Sequence, residues 1–201
     1  MRLSASRLSV ERGGRIVFSD LSFALESGQS LIVTGRNGAG KSTLLRALAG
    51  LLPLAAGNLS LTPESDENLA ERTHYIGHAD ALKGALSVVE NLSFHAALLD
   101  SGRPGMEPGP ALEAFGLGPI SHLPAAYLSA GQRRRAALAK LLVARRPIWL
   151  LDEPTTALDA ASQDLMARIM QAHVADGGVI IAATHAALNL PATELRLGDA
   201  A

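Results

Sequence analysis

The chain has 201 residues, 48% of them hydrophobic but only 3% aromatic, so its core is built mainly from Leu, Ala, Val and Ile in one compact unit, or a core with one sizeable insertion. Basic and acidic residues number 18 and 19 and leave a formal net charge of −1, which argues against a dominant polyanion-binding face and against specific nucleic-acid binding. There is no cysteine, which excludes disulfides, thiolate metal sites and cysteine catalysis.

The first residues, MRLSASRLSVERGG, alternate apolar and polar and meet charge early, unlike the unbroken apolar stretch of a signal peptide. No apolar run approaches the ~18 residues that cross a bilayer. A cytoplasmic chain that reaches any membrane through a partner is the expectation. Leu3–Val10 and Leu21–Leu25 alternate in period two, as half-buried antiparallel strands do, with Gly13 and Gly14 supplying a turn. Ser27-Gly28 marks another turn, and Ser30–Thr34 is a short apolar strand running into a glycine-rich loop. A helix is expected over Ser42–Ala49, closed by Gly50, and Pro63–Arg72 reads as a solvated surface segment. Ser87-x-x-Glu90 is a capping box ahead of a helix over Asn91–Leu99. Ser101–Pro110, rich in Gly and Pro, reads as a loop. Ser129 caps a helix over Ala130–Arg145, stopped by Pro147; Ile148–Leu151 is a buried strand; Asp159 caps a further helix ended by Asp176-Gly177-Gly178; and Val179–Thr184 is the next strand. This alternation predicts an α/β fold with a mainly parallel sheet, interrupted by a helical insertion from about Ala79 to Arg146.

Three motifs carry chemistry. Gly35-Arg36-Asn37-Gly38-Ala39-Gly40-Lys41-Ser42, with Thr43 after it, is a G-x-x-x-x-G-K-[ST] loop between a strand and a helix, the setting this motif requires. Its glycines let backbone N–H groups curl around phosphate oxygens, and the helix N-terminus adds its positive dipole end. Lys41 is placed to neutralise the β- and γ-phosphates of ATP and the Ser42 hydroxyl to ligate Mg²⁺. Ile148-Trp149-Leu150-Leu151-Asp152-Glu153 delivers two carboxylates at the C-terminal end of a buried strand, where ligands bind in open α/β sheets. Asp152 suits Mg²⁺ and Glu153 suits the water that attacks the γ-phosphate. The third motif, Leu128-Ser129-Ala130-Gly131-Gln132, is a second phosphate cradle at a helix start. The run Arg133–Arg135 behind it reads as a solvated helix face, and His74, His78, His95, His122 and His173 are given no catalytic role.

The order of these parts, followed by Thr155–Asp159 and Ala183-Thr184-His185, resembles the ABC ATPase family over almost the whole chain, with Ala130 replacing one glycine of the signature. The resemblance implies a RecA-like P-loop core over about 1–78 and 147–201, an N-terminal antiparallel β region, and an inserted helical subdomain over about 79–146. It implies a head-to-tail homodimer in which Ser129, Ala130, Gly131 and Gln132 face ATP held by the partner's loop. One chain with two cradles but one Walker-type site agrees with that pairing. Asp159 matches the D-loop and His185 the switch histidine at the γ-phosphate. Two departures stand out. The usual coupling glutamine is absent from Tyr75-Ile76-Gly77-His78-Ala79-Asp80, where His78 or Ala79 takes its place and His78 is assigned as coupling sensor. The adenine-stacking aromatic is also absent, and Arg12 falls at that position, where a guanidinium stacks on a base instead.

Gly77-His78, Leu86–Leu92, Leu128–Arg134 and Pro147–Pro154 together look like the ATPase subunits of bacterial cytochrome c maturation systems. That resemblance implies a translocase subunit of a haem exporter, bound to integral membrane subunits on the cytoplasmic face of the inner membrane. Other small ABC exporters share each piece. A soluble ABC ATPase acting on DNA or ribosomes is the rival class, but it typically carries long coiled-coil insertions or two fused units. A nucleotide switch without turnover is disfavoured by Glu153 and His185.

Overall fold

The computed structural model describes residues 1–63, 68–99 and 105–198. The chain opens with β1 (Arg2–Arg12) and β2 (Arg15–Glu26), joined at Gly13-Gly14 and paired antiparallel. A later strand, β4 (Ala56–Thr62), pairs with the other edge of β1 and completes a three-stranded sheet in the order β2-β1-β4. The period-two reading of β1 holds in two halves, Leu3 with Ala5 and Leu8 with Val10, because a register shift between Ala5 and Leu8 changes which parity faces the core.

The second sheet is parallel throughout. It consists of β3 (Ser30–Thr34), β5 (Thr73–Ile76), β6 (Ile148–Asp152), β7 (Val179–Ala183) and β8 (Thr193–Arg196), ordered β5-β6-β7-β3-β8. β6 and β7 are buried on both faces, as parallel strands under helices are. Their side chains divide by parity between two cores. Ile148, Leu150, Val179 and Ile181 pack with α1 (Lys41–Leu48) and the antiparallel sheet. Trp149, Leu151, Ile180 and Ala182 pack on the other side with α5 (Ala160–Ala175) and three helices inserted between β5 and β6. These are α2 (Val88–Leu98), α3 (Pro108–Ala114) and α4 (Ala130–Val143), which pack on one another.

Capping follows the expected residues. Ser87 and Glu90 form their box at α2, Ser129 and Gln132 form another at α4, and Asp159 accepts from the Ser162 amide at α5. Three local expectations are corrected, and the segment from Pro63, where it is described, lies at the surface as read. The stretch read as a loop to Pro110 contains the start of α3, with Pro108 in its first turn where a missing N–H costs nothing; residues 101–104 lie outside the described residues. α4 ends at Val143, so Arg145 and Arg146 lie beyond it and Lys140 is the cation of its last turn. In the polar stretch from Pro63, residues 64–67 lie outside the description, and Leu69–Arg72 form a short 3-10 turn capped by Asn68. The edge strand β8 had no counterpart among the expected elements.

Candidate functional site

The C-terminal ends of β3, β6 and β7 deliver the site. β3 runs into the loop Gly35–Gly40, and α1 begins at Lys41 with Gly40 as its N-cap at φ 100°. Only glycine suits that position, because a Cβ there would also press on Val17 Cγ1 at 2.7 Å. Lys41 Nζ donates to the Gly35 carbonyl at 2.7 Å and lies 2.9 Å from His185 Nε2, which accepts from the ammonium when unprotonated. His185 stands just beyond β7, exposed.

Ser42 Oγ donates to Asp152 Oδ1 at 3.0 Å across the gap between α1 and β6. Asp152 is 3% exposed, and its Oδ2 is buried without a partner among the described residues. A hydroxyl and a carboxylate with a spare oxygen are hard donors that fit Mg²⁺, which takes one or two protein oxygens and fills its octahedron with water and phosphate. No group of three or more His, Cys, Asp or Glu that could hold a metal occurs among the described residues.

Glu153 follows at φ 48°, in the left-handed region, with its amide donating to the Ala183 carbonyl at 2.8 Å and its Oε2 accepting from Thr184 Oγ1 at 3.1 Å. A non-glycine residue held there is strained by on the order of 1–3 kcal/mol, and such strain gathers at working sites. An open cleft of about 570 Å³ connects these groups. It is lined by Asn37, Gly38, Gly40, Lys41, Ser42 and Thr43 of the loop and α1, by Asp152 and Glu153 with His78, and by Arg12, Arg15 and Val17 of the antiparallel sheet. Gly35, Arg36 and Ala39 shape the loop without lining the cleft.

The second cradle stands apart. Ser129 and Ala130 are exposed at the start of α4, and none of Ser129, Ala130, Gly131 and Gln132 lines the cleft. The two glycine positions of the signature are not equivalent: Ala130 points its methyl to solvent, whereas a Cβ at Gly131 would lie 2.9 Å from the Ala157 carbonyl. Asp159 spends its carboxylate on the α5 cap, and the hydrogen bonds from Ser162 hold its pKa below the usual value.

The arginine run corrects the expectation of a solvated face. Arg133 is exposed, but Arg134 is 4% exposed and bonds to Asp152, Glu153 and Pro154, while Arg135 donates to the Phe115 carbonyl at 2.9 Å. His74 and His173 are structural. His74 Nε2 faces the Ala144 carbonyl at 2.8 Å, and His173 stacks on Trp149 at 3.7 Å between ring centroids. Burial pushes both down to about 4. His95 is also lowered by burial, and it lines a second cleft of about 360 Å³ with His78, Asp80, Leu98 and Lys140.

A phosphate-binding loop facing paired strand-end carboxylates on a parallel sheet defines a P-loop nucleotide hydrolase. The chain belongs to the ABC transporter family: residues 18–156 match the family model described as ABC transporter. Over its whole length it is 56% identical to the cytochrome c biogenesis ATP-binding export protein CcmA of Nitrobacter winogradskyi, and 55% identical to the protein of that name from Mesorhizobium japonicum, each match covering 100% of both chains. Among solved structures, a putative ABC transporter ATP-binding protein from Pyrococcus furiosus has the same fold, with a TM-score of 0.84 at 23% identity over 98% of both chains. A dimeric ATP-binding cassette in a post-hydrolysis state, bound to ADP and Pi, gives a TM-score of 0.83 at 20% identity over 98% of this chain and 94% of that one.

Proposed function

We propose that this chain is the ATP-hydrolysing subunit of an exporter serving cytochrome c biogenesis, with haem or a haem-linked step as the business of its membrane partners. The observation that carries the catalytic part is the meeting of Lys41, Ser42, Asp152, Glu153 and His185 at one end of the parallel sheet. ATP would lie with its phosphates on Gly38–Thr43 and its base toward Arg12 and Arg15. Ser42 and Asp152 would hold Mg²⁺, which would supply positive charge against that of the phosphates. Glu153 orients the attacking water, and His185, already paired to Lys41, reaches the γ-phosphate. The signature residues Ser129, Ala130, Gly131 and Gln132 complete the site of a second copy in a head-to-tail sandwich, with Asp159 nearby as D-loop.

The chain divides, on this reading, into a core over about 1–78 and 147–201 and a helical subdomain over about 79–146. No helix among the described residues is long and apolar enough to cross a membrane. Integral membrane subunits would therefore hold the chain at the cytoplasmic side of the inner membrane. Their docking place is the second cleft, because it brings His78, the assigned coupling sensor, beside α2, whose Phe94 and Leu98 are 44% and 64% exposed. Deleting the gene tests the assignment. Mature c-type cytochromes are expected to disappear while membrane b-type cytochromes persist, and Lys41→Ala is expected not to restore them. Normal covalent c-type haem in the deletion strain would reject the cytochrome reading and leave another small exporter.

A further inference from the structure

We infer that Arg134 is a positioning residue for hydrolysis: from the first turns of α4 it clamps the backbone on both sides of Glu153 and so ties the aim of that carboxylate to the place of the signature helix. The inference rests on the reading of Glu153 as the water-orienting group.

A guanidinium has five N–H donors and no acceptor. In Arg134 the donors meet five acceptors. Nη2 donates to the carbonyls of Asp152 at 2.8 Å and Glu153 at 2.7 Å, Nε to that of Pro154 at 3.3 Å, and Nη1 to the Gly77 carbonyl at 2.9 Å and to Asp80 Oδ1 at 3.3 Å. Four of the five are backbone oxygens. Neutralising a charge needs one carboxylate, and Asp80 supplies it; a planar fork spread over four carbonyls fixes backbone geometry instead.

That geometry is unusual at one residue. In an extended strand successive carbonyls point to opposite sides. The carbonyls of Asp152, Glu153 and Pro154 converge on one side chain because Glu153 sits at φ 48°. The clamp therefore stabilises the strained conformation that aims the Glu153 side chain, while the bonds to Ala183 and Thr184 hold it from the β7 side. Relaxing Glu153 to an ordinary φ would swing its carboxylate and break the convergence.

The clamp also joins three parts of the chain. Arg134 lies one turn after Ser129, and its Nη1 holds Gly77, the residue before His78. Lys140, two turns further along α4 and 5% exposed, donates to the carbonyls of Asp80 at 2.7 Å and Ala81 at 2.9 Å. Two buried cations on one helix thus fasten the segment 77–81, and only Arg134 extends that fastening to the catalytic strand end. A displacement of α4, whether by a partner's nucleotide at Ser129 or a membrane subunit at the second cleft, is passed to Glu153 through this one side chain.

The test uses the full chain with Arg134→Ala, Arg134→Gln and Arg134→Lys, each alone and with Glu153→Gln. Turnover, nucleotide affinity measured with ADP, and thermal midpoint are read for each. Arg134→Ala is expected to lower kcat on the order of 10²-fold, the cost of a small misplacement of a reacting group, with ADP affinity changed less than about threefold. Arg134→Lys should recover only part, since an ammonium lacks the planar fork. Added guanidinium ion should restore part of the turnover of Arg134→Ala and none of Glu153→Gln. In the Glu153→Gln background, Arg134→Ala should cost little more, because the group it positions is already gone. Unchanged kcat, a parallel loss of ADP affinity, or full multiplication of the two losses overturns the inference. If Arg134→Ala does not fold, a folded Arg134→Lys or Arg134→Gln with normal kcat overturns it equally. Normal turnover of Glu153→Gln alone would instead sink the underlying reading of Glu153, whatever Arg134 does.

Discussion

Lys41 and Arg12 both line the cleft, and the proposed reading gives them different work. Lys41 is half-buried, already aimed by the Gly35 carbonyl and His185, and its charge belongs to the phosphates. Lys41→Ala is expected to abolish turnover and to weaken ATP binding by at least an order of magnitude, since a charge-assisted bond contributes about 1.5–3 kcal/mol. Equilibrium binding of a fluorescent ATP analogue checks it, and unaltered affinity with normal hydrolysis would remove the loop from the site. Arg12 is exposed and faces Arg15 directly across the β1–β2 turn. Like charges in that register repel, and on the proposed reading the face of the ATP base would lie against the Arg12 guanidinium. Because stacking is the same in the ground and transition states, Arg12→Ala should raise KM for ATP by up to about tenfold and leave kcat nearly unchanged. A fall in kcat at constant KM would place Arg12 elsewhere in the reaction.

At the scale of elements, periodicity and punctuation made the framework legible. Ser30–Thr34 stands as read, and the boxes at Ser87 and Ser129 and the cap at Asp159 start their helices where the side-chain chemistry requires. The misses have physical reasons. β8, with the sequence Thr-Glu-Leu-Arg, is an exposed sheet edge with one half-buried residue, so it carries no apolar run to find. α3 opens with Pro-Gly-Pro, whose turn chemistry hid a proline in a permitted first-turn position. Arg134 was not legible from phase: its face carries the buried Leu138 and Leu141, but Arg133 is equally in phase with Ala137 and Lys140, which are buried too. Burial nearly all round the later turns of α4 leaves no apolar stripe to mark which arginine turns inward. Two other polar residues on packed elements make a testable claim about pH. His74 on β5 and His173 on α5 titrate near 6.5 when unfolded and at about 4 when folded, burial being the main cause for each. Between those values the unfolded chain binds more protons, so stability rises with pH, complete above 6.5 and lost as pH falls toward 4. For His74 the difference is on the order of 3 kcal/mol. The thermal midpoint should fall across that window, and His173→Phe, which keeps a ring on Trp149 without the titrating nitrogen, should flatten the fall. An identical pH profile in that variant would show that His173 contributes nothing to it.

Among the described residues, the cleft at the glycine-rich loop and the turn at Ser129–Gln132 stand apart, and the turn does not line the cleft. Within a chain, α4 is tied to the core by Arg134 and Lys140, and Gly131 abuts Ala157, so Ser129 has no path to its own phosphates without breaking buried bonds. On the proposed reading a second copy would resolve this by placing each signature over the other's ATP. Two faces rich in phosphate-binding groups have little reason to associate until the nucleotide neutralises and bridges them. The chain is therefore expected to be mainly monomeric without ATP. Glu153→Gln should bind ATP but stall before hydrolysis, because an amide orients water poorly and takes no proton. Stalled ATP then holds the sandwich closed. Size-exclusion chromatography of Glu153→Gln with Mg²⁺ and ATP should show a dimer that the unsubstituted chain forms only transiently, and Ser129→Arg in the same background should prevent it by putting bulk where the partner's phosphates must lie. A nucleotide-free dimer of equal stability, or a Glu153→Gln chain that stays monomeric with ATP while binding it tightly, would require the two cradles to act in some other arrangement.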